Sequence, residues 1–446
     1  MHGFTCTALA ALLLLPAVAA PAAIDPARLE GLKARSIGPA GMSGRIAAVD
    51  AFGPDPRIVW VGAASGGVWK SPNGGLPVEP VFDDQPVHSI GAVAVDPRTP
   101  DVVWVGTGEG NLRNSISHGD GVYLTRDGGK SWSNVGLART ERIHRILLHP
   151  RDPKTVWACA VGPAWGDGTE RGVFRTSDGG KSWKKVLYVD ERTGCADLAL
   201  DPGNPDHLLA ATWDFRRTPH HFRSGGPGSG LHVTWDGGES WTKLGEKEGV
   251  PKGPLGRIGL AFCVGHPEVV YAVVEAEKNV LLRSESGGRR FEVVNDSPSV
   301  NPRPFYYADI RVDPRQPNRV YSLATQLRVS TDGGKTFENL RGTGRQQVHV
   351  DHHALWIDPA EPRRMYLGND GGMYESRDRG ETFRFVGTLP LAQYYHVAVD
   401  AETPYNVYGG LQDNNSWRGP STVWQRGGIR MHHWKAVGGG DGFETL

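Results

Sequence analysis

The chain has 446 residues, which is enough for one large domain or two ordinary ones. Its 49 basic and 49 acidic residues cancel, so the charge indicates no surface for nucleic acid. Glycine (60 residues), proline (32) and tryptophan (14) are abundant, a mixture that is typical of many short strands joined by tight turns.

The chain begins with an apolar run, from about residue 8 to residue 20, that ends in small residues of the Ala-x-Ala type. This pattern predicts a signal peptide over residues 1–23, because the run is too short for a comfortable membrane span. No lysine or arginine precedes the run, and a buried helix is the alternative. We therefore expect an exported protein, periplasmic or extracellular, with no membrane span after the signal is removed.

The cysteines are few. Cys6 would leave with the signal peptide, and Cys159, Cys195 and Cys263 would remain. An odd, sparse set does not make a disulfide framework. The sequence leaves open both a single Cys159–Cys195 bridge and three buried free thiols.

An apolar strand with a central aromatic residue or leucine recurs along the chain. Its eight copies are RIVWVGAA (57–64), DVVWVGTG (101–108), KTVWACAV (154–161), DHLLAATW (206–213), EVVYAVVE (268–275), NRVYSLAT (318–325), RRMYLGND (363–370) and YNVYGGLQ (405–412). Most copies follow a turn such as DPRTP (96–100), where the proline and the aspartate favour a tight reversal.

A second element recurs in step with these strands, with the pattern Ser/Thr-x-Asp-x-Gly-x-x-Trp/Phe. The copies are TRDGGKSW (125–132), TSDGGKSW (176–183), TWDGGESW (234–241), STDGGKTF (330–337) and SRDRGETF (376–383), with worn versions at SPNGG (71–75) and SESGGRRF (284–291). Seven copies around a ring cannot all be active sites. We predict that the aspartates hold tight turns whose glycines adopt positive φ. These aspartates are Asp127, Asp178, Asp236, Asp332 and Asp378.

Each unit therefore contains four antiparallel strands in about 50 residues, which is the pattern of a propeller blade. We predict an all-β fold, a β-propeller of seven four-stranded blades with Asp-box turns, and leave an eighth blade open. The propeller would span residues 24–390. Residues 391–446 would close the ring or begin a further blade, and because the pattern stops midway we expect a longer polypeptide with a C-terminal domain.

Hairpin turns alternate between the two faces of a blade, so the loops after the second strands share one face with the links between blades. Four carboxylates arrive on that face at equivalent positions: Glu109, Asp214, Asp370 and Asp413. A glycosidase needs two carboxyl groups that face each other across a cleft. These four are our catalytic candidates.

Polar residues in the same loops are candidates for ligand binding. Arginines here could hold anions or pair with the acids, and a ring of solvated charges is the alternative. The candidates are Asn111, Arg113, Arg216, Arg217, Asp351, His353, Asn369, Gln412 and Asn414.

The segment HVDHHALW (349–356) has no counterpart in the other units. Alternation along a strand would place His349, Asp351 and His353 on one side, where they could hold a metal ion with Asp370 as a fourth ligand. Hydrogen bonding to loops is the alternative that we favour, and no cofactor is predicted.

The boxes resemble those of the Asp-box (BNR-repeat) β-propeller family, which includes sialidases, two-propeller xyloglucanases and the luminal domain of sortilin. Five segments are similar to exported bacterial proteins labelled glycosyl-hydrolase-like or sortilin-like. They are GTGEGNLRNS (106–115), RRTPHHF (216–222), HVDHHALWIDP (349–359), GNDGG (368–372) and YGGLQDNNSW (408–417).

The resemblance implies a propeller, but it transfers catalytic residues poorly. The segment similar to the first catalytic segment of xyloglucanases is AASGG (63–67), which lacks an acid, whereas NDGG (369–372) is similar to the second. We therefore expect an exported propeller that binds a glycan or peptide ligand on its loop face. One alternative is a glycoside hydrolase acting on a polysaccharide. The other is a protein-binding assembly factor that uses exposed aromatic residues, for which the candidates are Tyr306, Tyr307, Tyr394 and Tyr395.

Overall fold

The structure is a computed structural model, and it describes residues 25–29, 31, 32, 35, 37, 38, 43–343 and 348–444. The predicted signal peptide lies outside these residues. The chain divides into two compact units, residues 1–37 and residues 38–446. The described part of the first unit contains one 3-10 helix, Pro26–Leu29.

The second unit consists of sheets of four consecutive antiparallel strands. The first three blades contain β1 (Ile46–Ala51), β2 (Val59–Ala63), β3 (Val68–Ser71) and β4 (Glu79–Pro80); β5 (Ile90–Val95), β6 (Val103–Thr107), β7 (Val122–Thr125) and β8 (Ser133–Asn134); β9 (Ile143–Leu148), β10 (Val156–Ala160), β11 (Gly172–Thr176) and β12 (Lys184–Leu187). The fourth blade contains β13 (Thr193–Leu200), β14 (Leu208–Thr218), β16 (Gly230–Thr234) and β17 (Thr242–Lys243), and β15 (His221–Ser224) extends β14 as a hairpin.

The remaining sheets follow the same order. They contain β18 (Ile258–Cys263), β19 (His266–Val274), β20 (Val280–Ser284) and β21 (Glu292–Asn295); β22 (Asp309–Asp313), β23 (Gln316–Leu323), β24 (Leu327–Ser330) and β25 (Glu338–Asn339); β26 (His352–Ile357), β27 (Met365–Asn369), β28 (Gly372–Ser376) and β29 (Arg384–Phe385); β30 (Tyr394–Val399), β31 (Asn406–Leu411), β32 (Ser416–Pro420) and β33 (Lys435–Gly438). Short 3-10 helices lie at Ala138–Thr140, Glu246–Glu248, Arg341–Thr343 and Met431–His433.

The ring closes with seven blades. The first strand of each blade packs against the first strand of the next, and β1 packs against β26 and β27 of the seventh blade. Ile46, Val59 and Trp69 of the first blade share a buried cluster with Tyr366 and Met373 of the seventh. The predicted β-propeller is therefore confirmed.

Strands β30 to β33 form an eighth sheet that does not enter the ring, because β1 and β26 are already in contact. Its loop after β31 reaches back to the seventh blade, where the Asn414 side chain donates to the Asp370 carbonyl oxygen at 3.1 Å. Across the described residues, no helix is both long enough and apolar enough to cross a membrane.

The two repeated elements stabilise each other across blade boundaries. Trp60 on β2 is fully buried and meets Trp132, the box aromatic of the second blade, edge to face with ring centroids 6.2 Å apart. Trp104 on β6 meets Trp183 of the third blade in the same way at 6.3 Å. The aromatic residues of each unit are thus packing contacts between adjacent blades, which explains why both elements recur with one period.

The box turns are structural, as predicted. Asp127 accepts hydrogen bonds from the Thr125 hydroxyl at 2.8 Å and from the Ser131 amide at 2.9 Å, and the Ser131 hydroxyl donates to its other oxygen at 2.6 Å. The bonds from Ser131 and Thr125 lower the pKa of Asp127 to about 2. Gly128 and Gly129 follow with φ of 73° and 92°, which side chains other than glycine rarely adopt.

One of the two cysteine alternatives is realised. Cys159 on β10 and Cys195 on β13 form a disulfide that joins the third blade to the fourth, whereas Cys263 is a buried free thiol. The bridge closes a loop with a sequence separation of 36 residues.

We expect reduction of this bridge to lower the free energy of unfolding by about 2–4 kcal/mol, because the cross-link removes chain entropy from the unfolded state. The measurement is urea unfolding with and without dithiothreitol. A variant carrying both Cys159→Ser and Cys195→Ser is the control, since the reductant should not change its midpoint. An equal response of both proteins to the reductant would contradict the assignment.

Candidate functional site

Three of the four candidate carboxylates lie close together at one end of the central channel of the ring. The loops that follow the second strands of the blades lie at this end. Glu109 follows β6 of the second blade, Asp370 follows β27 of the seventh, and Asp413 follows β31 of the eighth sheet. Side chains from such distant blades meet only near the ring axis. The axial cluster, as named below, consists of Arg45, Glu109, Arg113, Tyr306, Asp351, His353, Asp370 and Asp413.

Arg45 connects two of the carboxylates. It precedes β1, and its Nη1 donates to both oxygens of Glu109 at 3.2 and 3.1 Å. Its Nε donates to Asp370 Oδ1 at 2.8 Å. The side chains of Arg45, Glu109 and Asp370 are only 1–2% exposed. Burial would lower the pKa of Arg45, but the two carboxylates raise that pKa well above its ordinary value.

Asp370 has the most partners of the three carboxylates. Besides Arg45, its oxygens lie 2.7 Å from His353 Nε2 and accept a bond from Arg113 Nη1 at 3.1 Å. Burial would raise the pKa of Asp370, yet the charges and hydrogen bonds of Arg45 and His353 hold it well below the ordinary value. Asp370 is therefore a fixed anion and not a group that exchanges a proton.

Asp351 and Asp413 are the more accessible acids of the cluster. One carboxylate oxygen each from Asp351, Asp370 and Asp413 lies within 4.8 Å of the others. Asp351 is half-buried, and the Asp413 side chain is 26% exposed. Burial and the neighbouring Asp370 carboxylate raise the pKa of Asp413 above its ordinary value.

The backbone at both accessible acids is strained. Asp351 has φ of 66° and Asp413 has φ of 60°, and both values lie in the left-handed region that residues with a side chain seldom occupy. Strain of this kind persists where the surrounding structure enforces it, and it concentrates at functional sites. The cluster thus places two strained, partly exposed carboxylates close to the fixed Asp370 anion.

Tyrosines form the wall of the cluster. The Tyr306 hydroxyl accepts a bond from Arg113 Nη1 at 2.9 Å and lies 3.1 Å from His353 Nε2. Burial, and then the neighbouring Asp351 carboxylate, raises the pKa of Tyr307 far above its ordinary value. Tyr306 and Tyr307 are only 3% and 2% exposed, so the expectation that they are exposed aromatic residues was wrong. Because both rings pack against His353, they cannot serve as a protein-binding surface.

The fourth candidate carboxylate lies elsewhere. Asp214 is on β14, which continues beyond the usual strand end into the hairpin with β15. There its carboxylate pairs with Arg223 at 2.9 Å and with Arg192 at 3.5 Å. Arg216, two residues along, pairs with Asp167. Asp214 and Arg216 therefore do not join the axial cluster.

The candidate amides support the cluster. Asn111 donates to His353 Nδ1 at 3.1 Å and accepts from Arg257 at 2.8 Å, which holds the imidazole in place. Asn369 donates to the His349 carbonyl oxygen at 2.8 Å. Gln412 donates to Asp413 Oδ2 at 3.1 Å, so it orients one of the accessible acids.

The predicted arrangement of His349, Asp351 and His353 on one side of a strand was wrong. Strand β26 begins at His352, and the positive φ of Asp351 breaks the alternation. The His349 ring lies 2.8 Å from the Val350 carbonyl oxygen, away from His353, which contacts Asp370. Among the described residues, the set that could converge on a cation is Asp351, Asp370 and Asp413.

Sequence reasoning missed Arg45 as a member of the site. Its segment, SGRIAA (43–48), precedes the first recurring strand and carries no repeated pattern. Phe222, the last residue of the RRTPHHF segment, and Phe305, which no motif contains, lie against the predicted Arg217, and Arg303 lies over the Tyr306 ring.

Comparison with known proteins agrees with this architecture. A family model described as Sortilin-Vps10, "Sortilin, neurotensin receptor 3", matches residues 120–251. A xyloglucanase from Paenibacillus sp is 26% identical over 223 residues, which cover 44% of this chain and 20% of that enzyme. An oligoxyloglucan-reducing end-specific xyloglucanase from Emericella nidulans is 25% identical, over 45% of this chain and 27% of that enzyme. The matched region thus spans about a fifth to a quarter of these relatives.

Solved structures with the same fold include the GH74 xyloglucanase from Xanthomonas campestris, with a TM-score of 0.61 and 17% identity over 86% of this chain and 60% of that one. The protein YCF48, solved bound to D1 peptide, has a TM-score of 0.50 and 17% identity over 77% of this chain and 96% of that one. The ring of seven blades and its Asp-box turns define a β-propeller fold, and these matches agree with a likeness to BNR-type propeller proteins.

Proposed function

We propose that the protein is a glycoside hydrolase that binds a polysaccharide at the axial cluster. One observation carries the proposal: Asp351 and Asp413 are strained, partly exposed carboxylates whose oxygens lie within 4.8 Å of each other. The raised pKa of Asp413 suits a general acid, whereas Asp351 remains available as a nucleophile.

The reaction follows from these roles. Protonated Asp413 gives its proton to the glycosidic oxygen, and the bond between that oxygen and the anomeric carbon breaks as an Asp351 oxygen attacks the carbon. The Asp413 carboxylate then takes a proton from water, which displaces Asp351 and releases the sugar. Retaining enzymes have carboxyl groups about 5–5.5 Å apart and inverting enzymes about 6.5–9.5 Å. The close pair therefore predicts retention of configuration.

The similarity to xyloglucanases supports a polysaccharide as the substrate class. The position of the proposed acids differs from that resemblance, because AASGG (63–67) lacks an acid and Asp370 is fixed by Arg45. The proposed chemistry therefore rests on Asp351 and Asp413 and does not transfer a catalytic pair from the relatives.

Binding without hydrolysis is the second candidate. Glu109 and Asp370, two of the four catalytic candidates from the sequence, are both paired with Arg45. Fewer unpaired carboxylates therefore remain for catalysis, which supports binding alone. The match of residues 120–251 to the sortilin family model fits a peptide or glycan ligand for such a protein. The role of an assembly factor loses support because Tyr306 and Tyr307 are buried.

Export belongs to this proposal, because the apolar run near the start of the chain ends in small residues as a signal peptide does. We propose residues 1–23 as the signal peptide, residues 24–390 as the propeller unit and residues 391–446 as a further unit that contributes Asp413 to the site.

The test is incubation of the protein with a panel of plant and bacterial polysaccharides, with new reducing ends as the readout and affinity electrophoresis in parallel. Release of reducing ends, with retained anomeric configuration by proton NMR of the first product, is the expected result. Retarded migration without release would favour the binding candidate. Neither release nor retardation by any polysaccharide would overturn both.

A further inference from the structure

Arginines and aromatic rings lie side by side next to the carboxylates of the axial cluster. The Arg113 and Arg303 guanidinium carbons lie 4.9 and 5.0 Å from the centre of the Tyr306 ring. The Arg217 guanidinium carbon lies 5.6 Å from the Phe222 ring and 5.7 Å from the Phe305 ring. This arginine rim, defined as Arg113, Arg217 and Arg303, takes its residues from the second and fourth blades and from the link that precedes the sixth.

Two members of the arginine rim have no acidic partner. Arg217 and Arg303 make no ion pair with any described residue, and the buried Arg217 Nε has no hydrogen-bond acceptor. Arg216, the neighbour of Arg217, pairs with Asp167, so an acidic partner is within reach of this hairpin although Arg217 does not use one. Burial and the charges of Arg113 and Arg303 lower the pKa of Arg217. A guanidinium that no described acid neutralises, and that stands among these rings, favours an anion beside it.

The rim is pre-organised for a planar anion. A guanidinium lying over an aromatic face keeps its orientation and its in-plane N–H donors, which match the two oxygens of a carboxylate. Phe222 is 55% exposed beside Arg217 and offers an apolar face against which a pyranose ring can pack. Charge and apolar surface thus lie side by side, as a uronic acid residue requires.

We infer that the arginine rim is a subsite for the carboxylate of a uronic acid, so that the polysaccharide bound at the axial cluster is acidic. This inference rests on the proposed function and names the substrate class of the same site. Arg217 and Arg303 bind the carboxylate, Phe222 packs against the sugar ring, and Arg113 links the subsite to Asp413, which lies 3.6 Å from its Nη1. The neighbouring sugar is thereby placed at the accessible acids.

The experiment compares ligands that differ only in charge. Binding of the wild-type protein to polygalacturonate and to the same polymer fully methyl-esterified is measured by affinity electrophoresis, together with neutral xyloglucan and dextran sulfate. We expect polygalacturonate to bind at least about tenfold more tightly than its methyl ester, since charge-assisted hydrogen bonds are lost on esterification. Its affinity should fall as salt is added. Dextran sulfate separates carboxylate recognition from attraction to any polyanion.

The variants Arg217→Gln and Arg303→Gln should each lower affinity for polygalacturonate about tenfold and leave affinity for the methyl ester unchanged. Arg303 is exposed, so its replacement leaves the core intact. Arg289→Gln is the matched control, because Arg289 also lies over an aromatic ring, that of Trp235 at 3.7 Å, but next to the box turns. The control should bind polygalacturonate as the wild type does.

The outcomes separate the inference from the function on which it rests. Cleavage or binding of neutral polymers with no preference for the acid form would overturn the inference and leave the proposed function standing. Equal binding of dextran sulfate and polygalacturonate would overturn the carboxylate subsite. Absence of binding to every polysaccharide would overturn both proposals.

Discussion

Replacing Arg45 by methionine is expected to lower the free energy of unfolding by about 3–5 kcal/mol, because breaking a buried ion pair leaves uncompensated charge behind. Arg45 is 1% exposed and is bonded to both Glu109 and Asp370, so its loss leaves two buried carboxylates with fewer donors. It also joins the first blade to the seventh, where the ring closes. Urea unfolding at pH 7, followed by tryptophan fluorescence, measures the effect.

The control is Arg57→Met, which breaks the exposed pair with Asp55. Exposed ion pairs contribute little, and no measurable change in the unfolding midpoint is expected. Adding Glu109→Gln and Asp370→Asn to the Arg45→Met protein should recover part of the lost stability, because the buried negative charge is then removed. If Arg45→Met and Arg57→Met unfold at the same urea concentration, Arg45 is not the centre of a buried network.

The fold could be predicted because its signals are local. A box turn is specified within eight residues, as Thr125, Asp127 and Ser131 bond to one another without help from the rest of the chain. Each recurring strand contains its own core aromatic residue or leucine. The strand pattern alone identifies Trp60 and Trp104 as such buried residues. Seven copies of a local signal specify a ring. Whether an eighth sheet enters that ring depends on the contact between β1 and β26, and no local pattern encodes that contact.

The candidate site could be predicted only in part. Counting from the recurring strands found Glu109, Asp370 and Asp413, because equivalent positions in successive blades point to the same channel mouth. The same count failed for Asp214, since β14 runs on into a hairpin that directs this carboxylate to Arg192 and Arg223.

The partners of these acids could not be found in this way. Arg45 and Asp370 lie 325 positions apart in sequence, and ring closure alone brings them together. The alternation assumed for residues 349–353 failed for a different reason. Asp351 has a positive φ, which breaks the alternation, and its carboxylate lies near those of Asp370 and Asp413. Aspartate tolerates this conformation better than most residues, so the sequence carries no glycine that would mark it. Long-range closure and local strain thus account for most of what sequence reasoning missed.

Replacing Asp413 by asparagine is expected to lower the rate of polysaccharide hydrolysis by about 10²–10⁴-fold, the usual contribution of a general acid. Asparagine has nearly the same shape and keeps an oxygen that can accept the bond from Gln412, so binding and folding should persist while proton donation is lost. The measurement is kcat and KM from reducing ends, with a thermal melt to show that the variant is folded. A fall in kcat with KM nearly unchanged is the expected pattern.

The pH profile provides a second readout. Because burial and Asp370 raise the pKa of Asp413, the carboxyl stays protonated to higher pH than an ordinary aspartate does. Activity should fall as pH rises through that pKa, and Asp413→Asn should remove this limb from the residual activity. Asp206→Asn is the matched control, since Asp206 is an exposed carboxylate in the turn between β13 and β14, on the opposite face. If Asp413→Asn retains the wild-type rate and alkaline limb, the proton comes from another group and the role assigned to Asp413 is wrong.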